Sequence, residues 1–191
     1  YSLCKGFGKC IVPLSKGSEL SPLIPAIAAD DDKALEQLLA EEKPDLNKSI
    51  WHNDKAEHTP LSLAAACGSS KCLSLLLKQP GININLPVQS DFSQNKVTPL
   101  AHAVHNNHTK CAAKLIKDPG FDATNNDNLL HIITGNNPKI MGLFLLHPDA
   151  DINTPIETNP DAPMHPVLVG ISSFQLSNML VLVNTKGLNI N

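Results

Sequence analysis

Arginine is missing altogether: all 15 basic residues of this 191-residue chain are lysines. Arg supplies the planar fork that binds phosphate and carboxylate bidentately, so its absence weighs against a dedicated phosphate site. Aromatic residues are scarce, at 4% of the chain. A core must therefore be built from Leu, Ile, Val and Ala, and a 42% hydrophobic content is enough to build one. No apolar run approaches the roughly 18 residues that a membrane span requires. No secretory leader is readable. A formal net charge of −3 lacks the strongly basic face that general nucleic-acid binding needs. Cysteines are few and odd in number, at positions 4, 10, 67, 72 and 111. Without a regular framework they fit reduced thiols in a cytosolic setting. An opening on Tyr1 rather than Met reads as a fragment of a longer protein.

What is present is repetition. "HTPLSLAAACGSSKCLSLLLKQPGININ" at 58–85 recurs as "VTPLAHAVHNNHTKCAAKLIKDPGFDAT" at 97–124. It recurs again as "DNLLHIITGNNPKIMGLFLLHPDADIN" at 127–153, "LSPLIPAIAADDDKALEQLLAEEKPDLN" at 20–47 and "HPVLVGISSFQLSNMLVLVNTKGLNIN" at 165–191. The anchors Leu23, Leu61, Leu100, Leu130 and Val167 lie 38, 39, 30 and 37 residues apart. A Thr-Pro or Ser-Pro opening offers an N-cap oxygen and a proline in the first turn, where no N–H is missed. Ala26, Ala64, Ala103, Ile133 and Gly170 follow at one shared position, where small residues allow close helix packing. A polar break comes next at Asp30, Gly68, Asn107 and Asn136, with Phe174 departing from the pattern. A second, Leu-rich helix then shows one apolar face at i, i+3, i+4 spacing. Asn47, Asn85, Thr124, Asn153 and Asn191 close the units.

"TPLSLAAACG", "TPLAHAV" and "LLHII", with the closing "ININ", "DIN" and "LNIN", resemble the ankyrin repeat, whose signature is T-P-L-H-x-A at a period of about 33 residues. The resemblance implies an all-α ankyrin-repeat solenoid of helix-turn-helix units with extended β-hairpin or loop fingers. It divides the chain into a segment 1–19 and an array 20–191. Residues 1–19 are either the tail of a preceding domain or a degenerate cap. In such arrays partners bind the fingers and the concave face of the first helices.

Finger length can be counted. From closing residue to next anchor there are 14, 15, 6 and 14 residues, against about 9 in the family. Long fingers at 48–57, 86–96 and 154–163 flank a short one at 125–128, and should leave a notch beside the third and fourth units. The candidate partner-binding residues are Trp51, His52, Asp91, Phe92, His105, Asn106, Asn126, Asn136 and Ser172. Trp51 and Phe92 suit anchoring, because exposed aromatics on rigid loops carry binding energy. Trp51 has an alternative role, folding back to pack its own hairpin. Family register places Ala66, Cys67, His105, Asn106, Gly135, Ser172 and Ser173 on the concave side. Lys33, Lys71, Lys110 and Lys139 form a ladder early in the second helices, either a solvated face or an attraction for an acidic partner.

Catalytic and metal chemistry find little support. His102, His105, His108 and Cys111 have ligand-like spacing, but the break at Asn107 keeps them off one helix face. Cys72 and Cys111 share a core column with Met141 and read as apolar fillers. "GFGK" in "LCKGFGKCIVP" lacks the spacing of a phosphate loop. The expectation is a non-catalytic scaffold with no cofactor and no metal, binding a protein partner as a monomeric array within a larger chain, in the cytoplasm. The Arg-free, Lys- and Asn-rich usage and the eroded repeats are similar to ankyrin effectors of intracellular bacterial pathogens, whose partner would be a host protein in the host cell cytoplasm. The alternative is a substrate-recruiting region of an enzyme whose catalytic domain lies outside this chain. Catalysis through Cys4 or Cys10 is a minor third reading.

Overall fold

The computed structural model describes residues 21–191 except 53–55, 94, 136, 157–162, 174–175, 186–187 and 189–191; the side chains of His52 and Asn126 also lie outside the description. Segment 1–19, Cys4, Cys10, Asn136, Phe174 and Asn191 therefore fall outside the described residues.

Among the described residues the chain forms ten helices and one two-stranded hairpin. The helices come in pairs: α1 (Leu23–Ala28) with α2 (Asp32–Glu42), α3 (Pro60–Cys67) with α4 (Ser70–Leu76), and α5 (Pro99–His105) with α6 (Thr109–Ile116). Then follow α7 (Asn126–Thr134) with α8 (Pro138–Phe144), and α9 (Pro166–Ser172) with α10 (Leu176–Val183). Strands β1 (Trp51–His52) and β2 (Glu57–His58) pair antiparallel, Trp51 opposite His58. Isolated bridges join Val88 to Val97 and Ile156 to Met164.

Helix starts follow the cap chemistry. Thr59 and Ser62 form a capping box around α3, with Pro60 in the first turn. Thr98 caps α5 and Asn125 caps α7 through side-chain oxygens. At Ser21-Pro22 the expected cap is weaker: Pro22 holds the N-cap position of α1, and Ser21 Oγ accepts only a long 3.4 Å bond from Leu23 N–H. The turn between paired helices needs a left-handed residue, and Asp30 (φ 53°), Gly68 (φ 76°) and Asn107 (φ 59°) supply it. Asp, Asn and Gly tolerate that conformation best, which is why the polar break in the sequence carries these types.

First helices pack on first helices, α1 on α3, α3 on α5, α5 on α7 and α7 on α9. Second helices form a parallel row, from α2 through α4, α6 and α8 to α10. All eight residues of α3 are buried, because neighbours cover it on both sides. The core column of the second helices is Cys72, Cys111 and Met141, all fully buried. The Cys72 thiol donates to Ala26 O (3.7 Å), and Cys111 Sγ lies 4.0 Å from Ala64 O. In α10 the same column holds Asn178, whose amide donates to Ile132 O (2.9 Å) and Ile133 O (3.1 Å).

The closing asparagines tie one unit to the next. Asn47 Nδ2 donates to Gly81 O (2.9 Å) while its Oδ1 accepts from Asn83 N–H (2.8 Å). Asn85 repeats the pair with Gly120 O (2.7 Å) and Asp122 N–H (3.0 Å). Thr124 is too short to reach onward and bonds Asp122 instead.

Two glycines separate backbone strain from crowding. A Cβ on Gly68 would lie 2.6 Å from the His108 ring, which packs from the next helix pair, whereas one on Gly81 (φ 77°) meets nothing within 4 Å. Gly81→Ala should lower stability by about 1 kcal/mol, the left-handed penalty alone. Gly68→Ala should cost about 2–3 kcal/mol, because the His108 ring must also move. Urea denaturation of both variants checks this, and equal losses would show that the His108 contact contributes nothing.

Candidate partner-binding surface

The loop 86–97 leaves the α4 turn, pairs Val88 with Val97 through bonds of 3.0 and 2.8 Å, and receives Glu57 N–H on Gln89 O at 2.9 Å. Val88, Ser90 and Val97 are buried, so the base of the loop is fixed. Its tip leans over the first helices. The Phe92 ring stacks on His105 at 4.0 Å with an interplanar angle of 5°. It meets His102 edge-on at 5.2 Å and His131 at 6.1 Å. His102 in turn lies 4.8 Å from His58, and His58 lies 5.4 Å from Trp51. Six rings from β1, β2, the loop, α5 and α7 thus form one continuous run.

The candidate residues divide across this surface. Phe92, His105 and Asp91 come together, with His105 and Asp91 exposed and Phe92 half-buried. Asn106 is half-buried at the end of α5, where its Nδ2 donates to His102 O at 3.0 Å. Ser172 is exposed on α9, two first helices farther along, and its hydroxyl donates to Val169 O. The backbone of His52 pairs with Glu57, and Asn126 opens α7; their side chains and the whole of Asn136 lie outside the described residues. Trp51 is only 6% exposed, so it packs its own hairpin rather than standing free as an anchor. Ala66 and Cys67 are also buried, because α3 is covered on both flanks, and neither offers a concave contact.

The segment 125–128 forms no loop of its own. Asn125 caps α7 and the helix runs from Asn126, so Phe92 reaches across the space that a longer loop would occupy and touches His131 on α7. Spacing did not single out His58 and His131. The signal was their position one before the Thr-Pro and one after the Leu anchor, which puts both on the same side of the stack as His102.

Three histidines of this run, His58, His102 and His131, are shifted toward the neutral form by burial. His102 is 3% exposed, its Nε2 has no hydrogen-bond partner, and its value lies well below the ordinary range. Desolvation is the main cause, and His58, His105 and His131 add to it. Burial pushes His58 down to about 4, against an opposing pull from Asp91. His131 is lowered by burial, partly offset by Asp127.

On the other row, Lys33, Lys71, Lys110 and Lys139 each occupy the second position of α2, α4, α6 and α8, and all are exposed. The acidic group beside the first rung is structural: Asp30 Oδ1 accepts from Lys71 N–H (2.9 Å) and Cys72 N–H (3.1 Å), capping α4 from the preceding pair. Among the described residues no group of three or more His, Cys, Asp or Glu is arranged to hold a metal ion. No helix among them is long and apolar enough to cross a membrane.

Residues 57–87 match the family model of the ankyrin repeat. The match supports an ankyrin repeat over β2, α3 and α4. Ankyrin repeats are modules for binding other proteins and carry no catalysis of their own. No curated protein matches the chain.

The cysteines bear on the catalytic alternatives. Cys67 is disulfide-bonded, which departs from the expectation of five reduced thiols; an odd count does not exclude a single bridge. Cys72 and Cys111 are free and buried, and each is pushed up to about 12. Burial is the main cause in both, and the Asp30 carboxylate adds to it. A thiol in that state is neither nucleophile nor ligand at neutral pH. Both should resist a thiol-specific disulfide reagent at pH 8 in the folded chain and react within minutes in urea. Rapid modification of either by mass spectrometry without denaturant would contradict the packing described.

Proposed function

We propose that the chain is a non-catalytic protein-binding scaffold: a solenoid of five ankyrin-like units (20–47, 58–85, 97–124, 127–153 and 165–191) whose fingers and first-helix face receive a partner protein. The observation that carries this reading is the Phe92 tip lying across α5 and α7. It brings an aromatic ring, exposed His105 and exposed Asp91 to one place on a frame that is otherwise packed. Such a frame loses little freedom on binding, which favours affinity. The partner-binding set is then Asp91, Phe92, His105 and Asn106, with Ser172 at the far end of the same row; His52, Asn126 and Asn136 are assigned from register alone. The Arg-free, Lys- and Asn-rich usage supports the finer reading of a bacterial effector acting on a host protein in the host cytoplasm.

Capture from a host-cell lysate identifies a partner, and titration with that purified partner tests the surface. Phe92→Ala and His105→Ala should each weaken binding at least tenfold. Lys71→Ala and Lys110→Ala, on the opposite row, should change it less than twofold. A partner that ignores the first pair and responds to the second would move the binding face to the second helices.

A further inference from the structure

The Phe92 tip closes over a group of imidazoles that contains one buried nitrogen without a hydrogen-bond partner. His102 Nε2 is buried and has no hydrogen-bond partner. The groups around it come from every packed element: His58 on β2, His105 on its own helix α5, and His131 on α7. Two carboxylates act on the cluster, Asp91 from the loop on His58 and Asp127 from the first turn of α7 on His131. Neither contributes to holding a charge on His102, where the three acting groups are all imidazoles.

We infer that Phe92 and this histidine cluster form an acid-sensitive latch, in which protonation of the imidazoles lifts the Phe92 tip off α5 and α7 while the helix pairs stay folded. The asymmetry of the loop supports a local opening. Its base is fixed by the buried Val88–Val97 bridge and by the bond from Glu57 N–H to Gln89 O. Its tip is held by ring contacts and by a long 3.4 Å bond from Phe92 N–H to Ser90 Oγ. A charged His102 under that ring has no acceptor at its buried Nε2, and an uncompensated buried charge is costly.

The direction follows from linkage. A histidine held below its ordinary value binds more protons once it is hydrated, so the closed state is favoured above about pH 6.5 and loses ground as pH falls. The window extends from there to about 4, the value to which His58 is lowered. The consequence, a partner surface that changes with pH, rests on the binding role proposed above; the latch itself does not.

The test uses the full chain without any partner. Nuclear Overhauser contacts between the Phe92 ring and the His105 and His131 rings should be present at pH 7.5, weaken below pH 6.5 and be lost by pH 4, with α3 and α5 amide dispersion unchanged. His102→Gln should keep those contacts to a pH at least one unit lower, and His58→Gln serves the same purpose if His102→Gln does not fold. Contacts that persist in the unmodified chain at pH 4 would overturn the latch. So would contacts that vanish only together with the helix dispersion, since that is global unfolding. Failure of the Phe92→Ala binding measurement would leave this result untouched, and the reverse also holds.

Discussion

A pair of helices two or three turns long has too little interior to bury its own apolar face, so every pair in this chain depends on its neighbours. Helix α3 shows the consequence most fully: all eight residues are buried, and the cover comes from α1 on one flank and α5 on the other. The same dependence governs the polar groups. The N-cap residue of α4, Ser69, makes no cap bond with its own helix, because its hydroxyl donates back to Ile27 O. The free N–H groups of α4 are met by Asp30, from the preceding pair. Stability is thus shared between units, each of which is incomplete alone.

This sharing explains why polar residues recur at fixed places in a stack driven by apolar burial. Asn47 and Asn85 each donate to one backbone group of the next unit and accept from another, contributing about 1 kcal/mol per bond. Among the described residues that chain of links is interrupted at Thr124, the same point at which the connecting loop disappears into the cap of α7. Order across that junction must come from elsewhere. The α5–α7 packing supplies part of it, together with Thr98, whose hydroxyl donates to the buried Asn128 side chain, and the Phe92 ring that spans from His105 to His131. The loop that serves as candidate contact surface also spans the junction at which the closing residue makes no such link.

The paired helices were legible because each rests on local chemistry. Thr59-Pro60 and Thr98-Pro99 announce helix starts, and Asp30, Gly68 and Asn107 announce the left-handed turn through residue types that tolerate positive φ. Counting from anchor to anchor found the long loop at 86–96 and the short segment at 125–128. It could not find where a loop tip would lie, since that depends on residues distant in sequence. Trp51 and Phe92 show the difference. Both are aromatics in loops between units, yet one is buried on its own hairpin and the other reaches over two helices. The histidine run was missed for the same reason: His58, His102 and His131 belong to three units, and only the stack brings them to one side.

Register, rather than place in the chain, also sets the chemistry of α9. Its Leu168 and Ile171 are 51% and 56% exposed. Counted from the anchors, the same two positions hold Ile24 and Ile27 in α1, Ser62 and Ala65 in α3, and Ala101 and Val104 in α5, all buried beneath the following first helix. At α7 they hold His131 and Thr134, which are only partly covered. So α9 carries the apolar pair of an internal helix on a face with no described neighbour, and Leu176 and Leu180 of α10 are more exposed still, at 75% and 65%. Apolar area left in water forgoes about 25 cal/mol per Å2. A polar residue at Leu168 or Ile171 would remove that penalty, as a capping unit does. These two positions therefore have the composition of an interface rather than of a surface, whatever their place along the stack.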